Sequence, residues 1–123
     1  VTYQHAEGMP AGFLKHGTLS MVEPAFHTLF FVPLPEQKDL HKRTLIAMEQ
    51  VKSRGGTVIG IFFQGDELAQ KLVSQSIKLP VVSSILAPFL QMIIAQMFSY
   101  YAALELGRNI DKPRNLAKSV TVG

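Results

Sequence analysis

Residues 79–104 contain no charged side chain, and this 26-residue stretch restricts the possible folds more than any other feature of the sequence. A helix of this length could cross the hydrocarbon of a bilayer. The stretch also holds two prolines, two glutamines and three serines, spread over a depth at which lipid offers no hydrogen-bond partner. Lys78 and Arg108 flank it on opposite sides, so there is no positive-inside bias. We expect a buried helix; the alternative, a membrane-associated fragment, predicts partition into detergent.

Strand and helix patterns alternate along the rest of the chain. Runs of β-forming residues predict strands at 27–34, 57–63 and 76–79, and helices are predicted at 36–54, at 67–74 and from Pro88 to a stop at Gly107. This order predicts an α/β fold, a three-layer sandwich in which helices flank a parallel sheet. Three strands are fewer than the roughly five or six strands of a typical sheet. We therefore expect the domain to be incomplete at its N-terminus, or a partner chain to complete it.

Local signals fix the ends of these elements. In the first helix an apolar face is predicted from the helical spacing of Leu40, Leu45, Ile46, Met48 and Val51, with His41 on the polar side. Gly55 and Gly56 supply the helix stop, and Asp66 can cap the next helix. Residues 3–23 and 108–123 fit no regular element. Segments of this kind often carry function in α/β proteins.

Composition excludes several classes of function. The chain has 123 residues, which fits one domain. Because it begins with Val1 and not with methionine, we expect it to be a piece of a longer protein. Its net charge of +3 comes from scattered residues and does not support nucleic-acid binding. No cysteine is present, so disulfides, thiolate metal sites and a cysteine nucleophile are excluded. The four histidines lack the spacing of a metal cluster, so we expect no metal and no cofactor.

Three places could carry chemistry. His16, next to Gly17 in a bend, could transfer protons near neutral pH, although a lone histidine near a turn is usually a surface or capping residue. His5 and Glu7 stand two residues apart and do not face each other on a helix. The tail after Asp111 has three cations in seven residues, Lys112, Arg114 and Lys118, and could contact an anion. A lysine of this tail held out of water could act as an amine nucleophile; the alternative is a frayed basic terminus.

Two blocks, HAEGMPAGFLKHGTLSMVE at the front and LGRNIDKPRNLAKSVTV at the end, closely resemble the last sugar isomerase (SIS) domain of the glutamine:fructose-6-phosphate aminotransferase family. The resemblance covers essentially the whole chain. It implies that residues 1–123 are the C-terminal part of one SIS domain, with 108–123 as a tail that covers the active site. It further implies a cytoplasmic enzyme that makes glucosamine 6-phosphate from fructose 6-phosphate and glutamine-derived ammonia.

The resemblance also assigns residues. The histidine of the KHG motif, which opens the sugar ring and is lent to the neighbouring subunit of a homodimer, falls on His16. The lysine of LAKS, which forms an imine with the sugar, falls on Lys118, and Ala117 would touch substrate through its backbone. The family's proton-moving glutamate precedes the HAE block, so it is not Glu7, and the family typically ends in glutamate where this chain has Gly123.

The resemblance assigns the remaining parts to other domains of the same enzyme. An upstream SIS domain supplies the phosphate-binding loops and a glutaminase domain supplies the ammonia, so this chain alone is expected to be inactive. The alternative is a non-catalytic SIS module that binds a phosphosugar and regulates a partner. The presence of both His16 and Lys118 disfavours that alternative, because a pure binder needs no imine-forming lysine.

Overall fold

Three parallel strands form the sheet in the computed structural model, which describes Gln4 and residues 6–112. The strands are β1 (His27–Phe31), β2 (Thr57–Phe63) and β3 (Gln75–Leu79), in the order β1-β2-β3. Phe30 is in register with Gly60, and Ile61 with Ile77. The helices are α1 (Lys38–Ser53), α2 (Glu67–Leu72) and α3 (Ala87–Glu105). The predicted α/β fold with a parallel sheet flanked by helices is confirmed.

The central strand β2 has the predicted limits, whereas β1 ends earlier than predicted. The last ladder bond of β1 is donated by the Val32 amide to the Ile61 carbonyl at 2.9 Å, and Pro33, which has no amide hydrogen, follows. Val58 and Phe62 on one face of β2 are buried, and so are Ile61 and Phe63 on the other. The middle of the sheet is therefore covered on both faces, as a parallel strand requires.

The buried face of α1 differs from the predicted one. Met48 and Val51 are buried as expected, but Leu40 and Ile46 are exposed, and His41 and Thr44 are buried in their place. Positions 41, 44, 48 and 51 follow the three- and four-residue spacing of one helix face. The predicted placement of His41 on the polar side is wrong, because its imidazole has a buried partner, described below.

Two helices end on glycines in the left-handed region. Gly55 (φ 81°) follows α1 and its amide donates to the Lys52 carbonyl, while the Gly56 amide donates to the Val51 carbonyl. Gly107 (φ 62°) ends α3 in the same way. This bond pattern is the Schellman motif, which explains why both predicted stops are confirmed.

Helix α3 is apolar around its whole circumference, and most of its large side chains are exposed. Phe89, Phe98 and Tyr101 are each about half exposed in the described chain, so the expectation of a buried helix is not met within these residues.

Gln91 anchors the start of α3, since its Nε2 donates to the Val32 carbonyl at 2.8 Å. Over the part of the chain that the structure describes, no helix combines the length and apolar character needed to cross a membrane.

Candidate functional site

The segment that carries His16 is built from two consecutive 3-10 turns, Ala11–His16 and Thr18–Met21, which we call the double turn. The sequence predicted no regular element here. One leucine anchors each turn in the main core, Leu14 in the first and Leu19 in the second. The first turn packs against α1. Between the two anchors the chain comes to the surface, and there it presents the exposed side chain of His16.

Hydrogen bonds close each of the two turns. The Phe13 amide donates to the Pro10 carbonyl at 2.9 Å, which closes the first turn. The Gly17 carbonyl accepts both the Ser20 amide, at 2.9 Å, and the Ser20 hydroxyl, at 2.7 Å. The backbone directly after His16 is thus fixed by two bonds to one oxygen atom.

His16 itself is open to solvent, and its ring lies near that of Phe13. The two ring centroids are 6.3 Å apart and the ring planes are tilted by 57°. Imidazole is the side chain used most often in general acid–base chemistry, and the exposed ring of His16 is accessible from solvent. The surroundings of His16 are therefore compatible with the predicted proton transfer.

The structure contains a second histidine site that the sequence reading missed. His41 Nε2 and Asp66 Oδ2 are 2.7 Å apart, and their side chains are only 8% and 2% exposed. Asp66 Oδ1 also accepts the Ala69 amide at 3.0 Å, which confirms the predicted cap of α2. The pair connects the start of α1 to the turn after β2. Both carboxylate oxygens are engaged and the pair is shielded from water, so it links α1 to the turn before α2.

The pairing could not be found from local spacing, because 25 residues separate His41 from Asp66. One signal was present. Asp66 follows the carboxyl end of β2, the edge of a parallel sheet where polar side chains of different segments meet.

Several predicted site residues lie outside the described residues. They are Lys118, Ala117, His5 and the tail from residue 113 onwards. Glu7 is described and exposed. The start of the tail is also described: the Asn109 side-chain oxygen accepts the Lys112 amide at 2.8 Å.

Two further features of the described residues bear on ligand binding. Among them no three His, Asp or Glu side chains lie close enough to hold a metal ion. An open hollow of about 350 Å³ lies along α3, lined by Met92, Ala95, Gln96, Ser99, Tyr100 and Ile110. Within residues 6–112 no charged side chain lines this hollow.

Comparison with known proteins shows which family this chain belongs to. A family model described as the SIS domain matches residues 1–106. The chain belongs to the SIS domain family. A solved structure titled the C-terminal domain of glucosamine-fructose-6-phosphate aminotransferase, from Francisella tularensis, superposes with a TM-score of 0.78 at 30% identity, covering 92% of this chain and 31% of that one. The SIS fold predicted from the sequence is thus confirmed.

Curated relatives point the same way. Two proteins named glutamine–fructose-6-phosphate aminotransferase (isomerizing) are similar over 122 residues, at 43% identity in Methanococcus maripaludis and 42% in Clostridium tetani. Each match covers 99% of this SIS chain. The chain spans about a fifth of the length of these relatives, 19% of the first and 20% of the second.

Proposed function

We propose that this SIS chain is the isomerase-domain portion of an enzyme that makes glucosamine 6-phosphate from fructose 6-phosphate and glutamine-derived ammonia. The observation that carries the proposal is the KHG histidine, His16, held at the surface by an anchored double turn in a chain 43% identical to an aminotransferase of that name. The complete reaction belongs to the whole protein. Its other parts are an upstream SIS domain and a glutaminase domain, and we place the enzyme in the cytoplasm.

In this proposal His16 opens the sugar ring. Opening the cyclic form removes the proton of the anomeric hydroxyl and adds one to the ring oxygen. A single imidazole can do both, because it accepts a proton in its neutral form and donates one in its charged form. The exposure of His16 also suits a group offered to the neighbouring subunit of a homodimer.

Lys118 then forms the covalent intermediate. Its neutral amine adds to the C2 carbonyl of the open-chain sugar, and water leaves as the imine forms. Ammonia displaces the lysine amine and gives the imine at C2 of the sugar. This imine becomes the amino sugar when a proton moves from C1 to C2, the O1 hydroxyl loses its proton as the C1 aldehyde forms, and the nitrogen gains one proton. The proton is moved by the glutamate that the resemblance places upstream of this chain, while the backbone of Ala117 contacts the sugar.

The test compares two exposed histidines in the full-length protein that carries this chain. His16→Gln removes the proposed proton carrier, whereas His27→Gln changes an exposed histidine in β1 that the proposal leaves without a role. Because general acid–base groups contribute roughly 10²–10⁴-fold, kcat for glucosamine 6-phosphate formation should fall by that order in His16→Gln. The rate of His27→Gln should stay at the wild-type value. Equal rates for the two variants would contradict the proposal.

The same assay separates the enzyme from a regulatory module. A non-catalytic SIS module would bind fructose 6-phosphate and form no glucosamine 6-phosphate, whatever residue stands at position 16. Product formation that depends on His16 is expected only of the enzyme.

A further inference from the structure

Phe13 and His16 lie on the same side of the first 3-10 turn. A 3-10 helix has about three residues per turn, so side chains three positions apart eclipse each other. Here the geometry places the two ring centroids 6.3 Å apart with a tilt of 57° between the planes. Tilted arrangements at this separation are among those that aromatic rings prefer, because the positive edge of one ring approaches the negative face of the other.

Phe13 is not held there by the core. It is 64% exposed, whereas its neighbour Leu14 is only 4% exposed and belongs to the main core. Single exposed apolar side chains are common on protein surfaces, and what distinguishes Phe13 is the imidazole ring beside it. The contact with His16 gives this side chain a role that core packing does not.

The backbone of the double turn is fixed, but the imidazole of His16 is less constrained. Hydrogen bonds to the Pro10 and Gly17 carbonyls close the chain on both sides of His16. The χ2 torsion of a histidine has a broad energy profile, so an exposed ring samples several orientations unless a neighbour limits it. The Phe13 ring is that neighbour.

We propose that Phe13 is a positioning residue for His16: its ring restricts the rotation of the imidazole and holds it ready for proton transfer. This inference rests on the proposed function, in which His16 opens the sugar ring. Proton transfer needs donor and acceptor heavy atoms within about 2.6–3.2 Å of each other, so the orientation of the imidazole affects the rate directly. Phe13 has no polar side-chain atom and so does not compete for the proton.

The first measurement follows the imidazole itself. The full-length protein is labelled with ¹³C-histidine, and the His16 ring resonance is assigned by its loss in His16→Gln. Phe13→Leu keeps an apolar side chain but removes the ring current, so the His16 resonance should shift. Phe13→Tyr restores a ring and should return the resonance toward its original position. Phe89→Leu, at a phenylalanine in α3 that is 57% exposed, is the matched control and should leave the resonance unmoved.

The second measurement is steady-state kinetics of the same variants. An aromatic pair of this kind corresponds to about a 2- to 10-fold change in rate, so kcat should fall by that factor in Phe13→Leu while KM stays constant. Phe13→Tyr should recover kcat, and Phe89→Leu should not change it. Loss of the ring current moves the His16 resonance wherever the two rings are in contact, so the shift reports the contact and the ring-dependent fall in kcat reports the positioning role.

The outcomes distinguish this inference from the function on which it rests. An unchanged kcat in Phe13→Leu, with or without a shift of the His16 resonance and with activity lost in His16→Gln, would overturn the positioning role alone. Full activity in His16→Gln would overturn the proposed function, and with it any positioning role in catalysis.

Discussion

Among single residues, His41 and Asp66 form a buried polar pair within the described chain. The 2.7 Å separation, together with the second bond from the Ala69 amide, leaves both carboxylate oxygens satisfied. Removing one member of a buried polar pair leaves the other without a partner and costs more than the intact pair contributes. Asp66 therefore holds the turn between β2 and α2 and also the start of α1.

We predict that Asp66→Ala loosens α2. The Ala69 amide loses its acceptor and His41 stays buried without its carboxylate, so the free energy of opening of α2 should fall by about 1–3 kcal/mol. Hydrogen exchange of the peptide that covers residues 66–72 measures this in the full-length protein. Asp39→Ala, at an exposed acid in the first turn of α1, is the control. Equal protection in both variants would show that the pair has no such role.

At Gly60, in the middle of β2, the surrounding side chains leave no room for a Cβ atom. A Cβ atom built there would lie 2.4 Å from Val73 Cγ1 and 3.2 Å from Phe62 Cδ1. We predict that Gly60→Ala destabilises the domain by about 1–3 kcal/mol, because a packed core accommodates an added methyl group only by strain. Gly8→Ala, where a Cβ meets nothing within 4 Å, serves as the control. The thermal unfolding midpoint should drop only in Gly60→Ala, and a shared midpoint would refute the packing argument.

At the scale of elements, α3 stands out because its apolar surface is not confined to one face. Helices that are apolar all round are normally buried. In the described chain its exposed large apolar residues are Phe89, Met92, Ile93, Met97, Phe98, Tyr100, Tyr101 and Leu104. An apolar surface of this extent promotes association.

We predict that the isolated 123-residue chain binds the dye ANS and associates as its concentration rises. Phe98→Gln combined with Tyr101→Gln should weaken both effects, since it removes two half-exposed aromatic rings from α3. Leu40→Gln combined with Ile46→Gln changes two exposed aliphatic residues of α1 and should have a smaller effect. Dye fluorescence and sedimentation velocity measure the two effects. If the two double variants behave alike, α3 is not the source.

At the scale of the whole molecule, local patterns predicted the order of the elements and several of their ends. The limits of β2, the Asp66 cap and the Gly107 stop were predicted because each depends on neighbours in the sequence. The buried face of α1 was not, because His41 is held by a residue 25 positions away. Thr44 enters the same face because its hydroxyl donates to the Leu40 carbonyl at 2.9 Å, which removes the cost of burying it.

The candidate site was predicted only in part. The sequence singles out His16 as a candidate, but it does not predict the two 3-10 turns around it. Turns of four to six residues have no apolar periodicity to detect. What holds them is the packing of Leu14 and Leu19 into a core that forms only in the folded chain. The roles of His16, Lys118 and Ala117 stay predictions.

We also predict that the 123-residue chain is inactive by itself. It spans about a fifth of its curated relatives, and the proposal assigns phosphate binding and the proton shift to residues outside it. Fructose 6-phosphate and ammonia are supplied, and glucosamine 6-phosphate is measured against the full-length protein as a positive control. Product formed at comparable rates by the isolated chain would contradict this division of roles.

We predict that Lys118 forms an imine with fructose 6-phosphate, and reductive trapping detects this imine directly. Borohydride reduces an imine to a stable secondary amine, so incubating the full-length protein with fructose 6-phosphate and borohydride should leave the sugar attached to the peptide that contains Lys118. Lys118→Arg should abolish the label, whereas Lys112→Arg, at another lysine near the end of the chain, should leave it unchanged. Mass spectrometry that finds no sugar on Lys118, or finds the label unchanged in Lys118→Arg, would show that Lys118 forms no imine with the sugar.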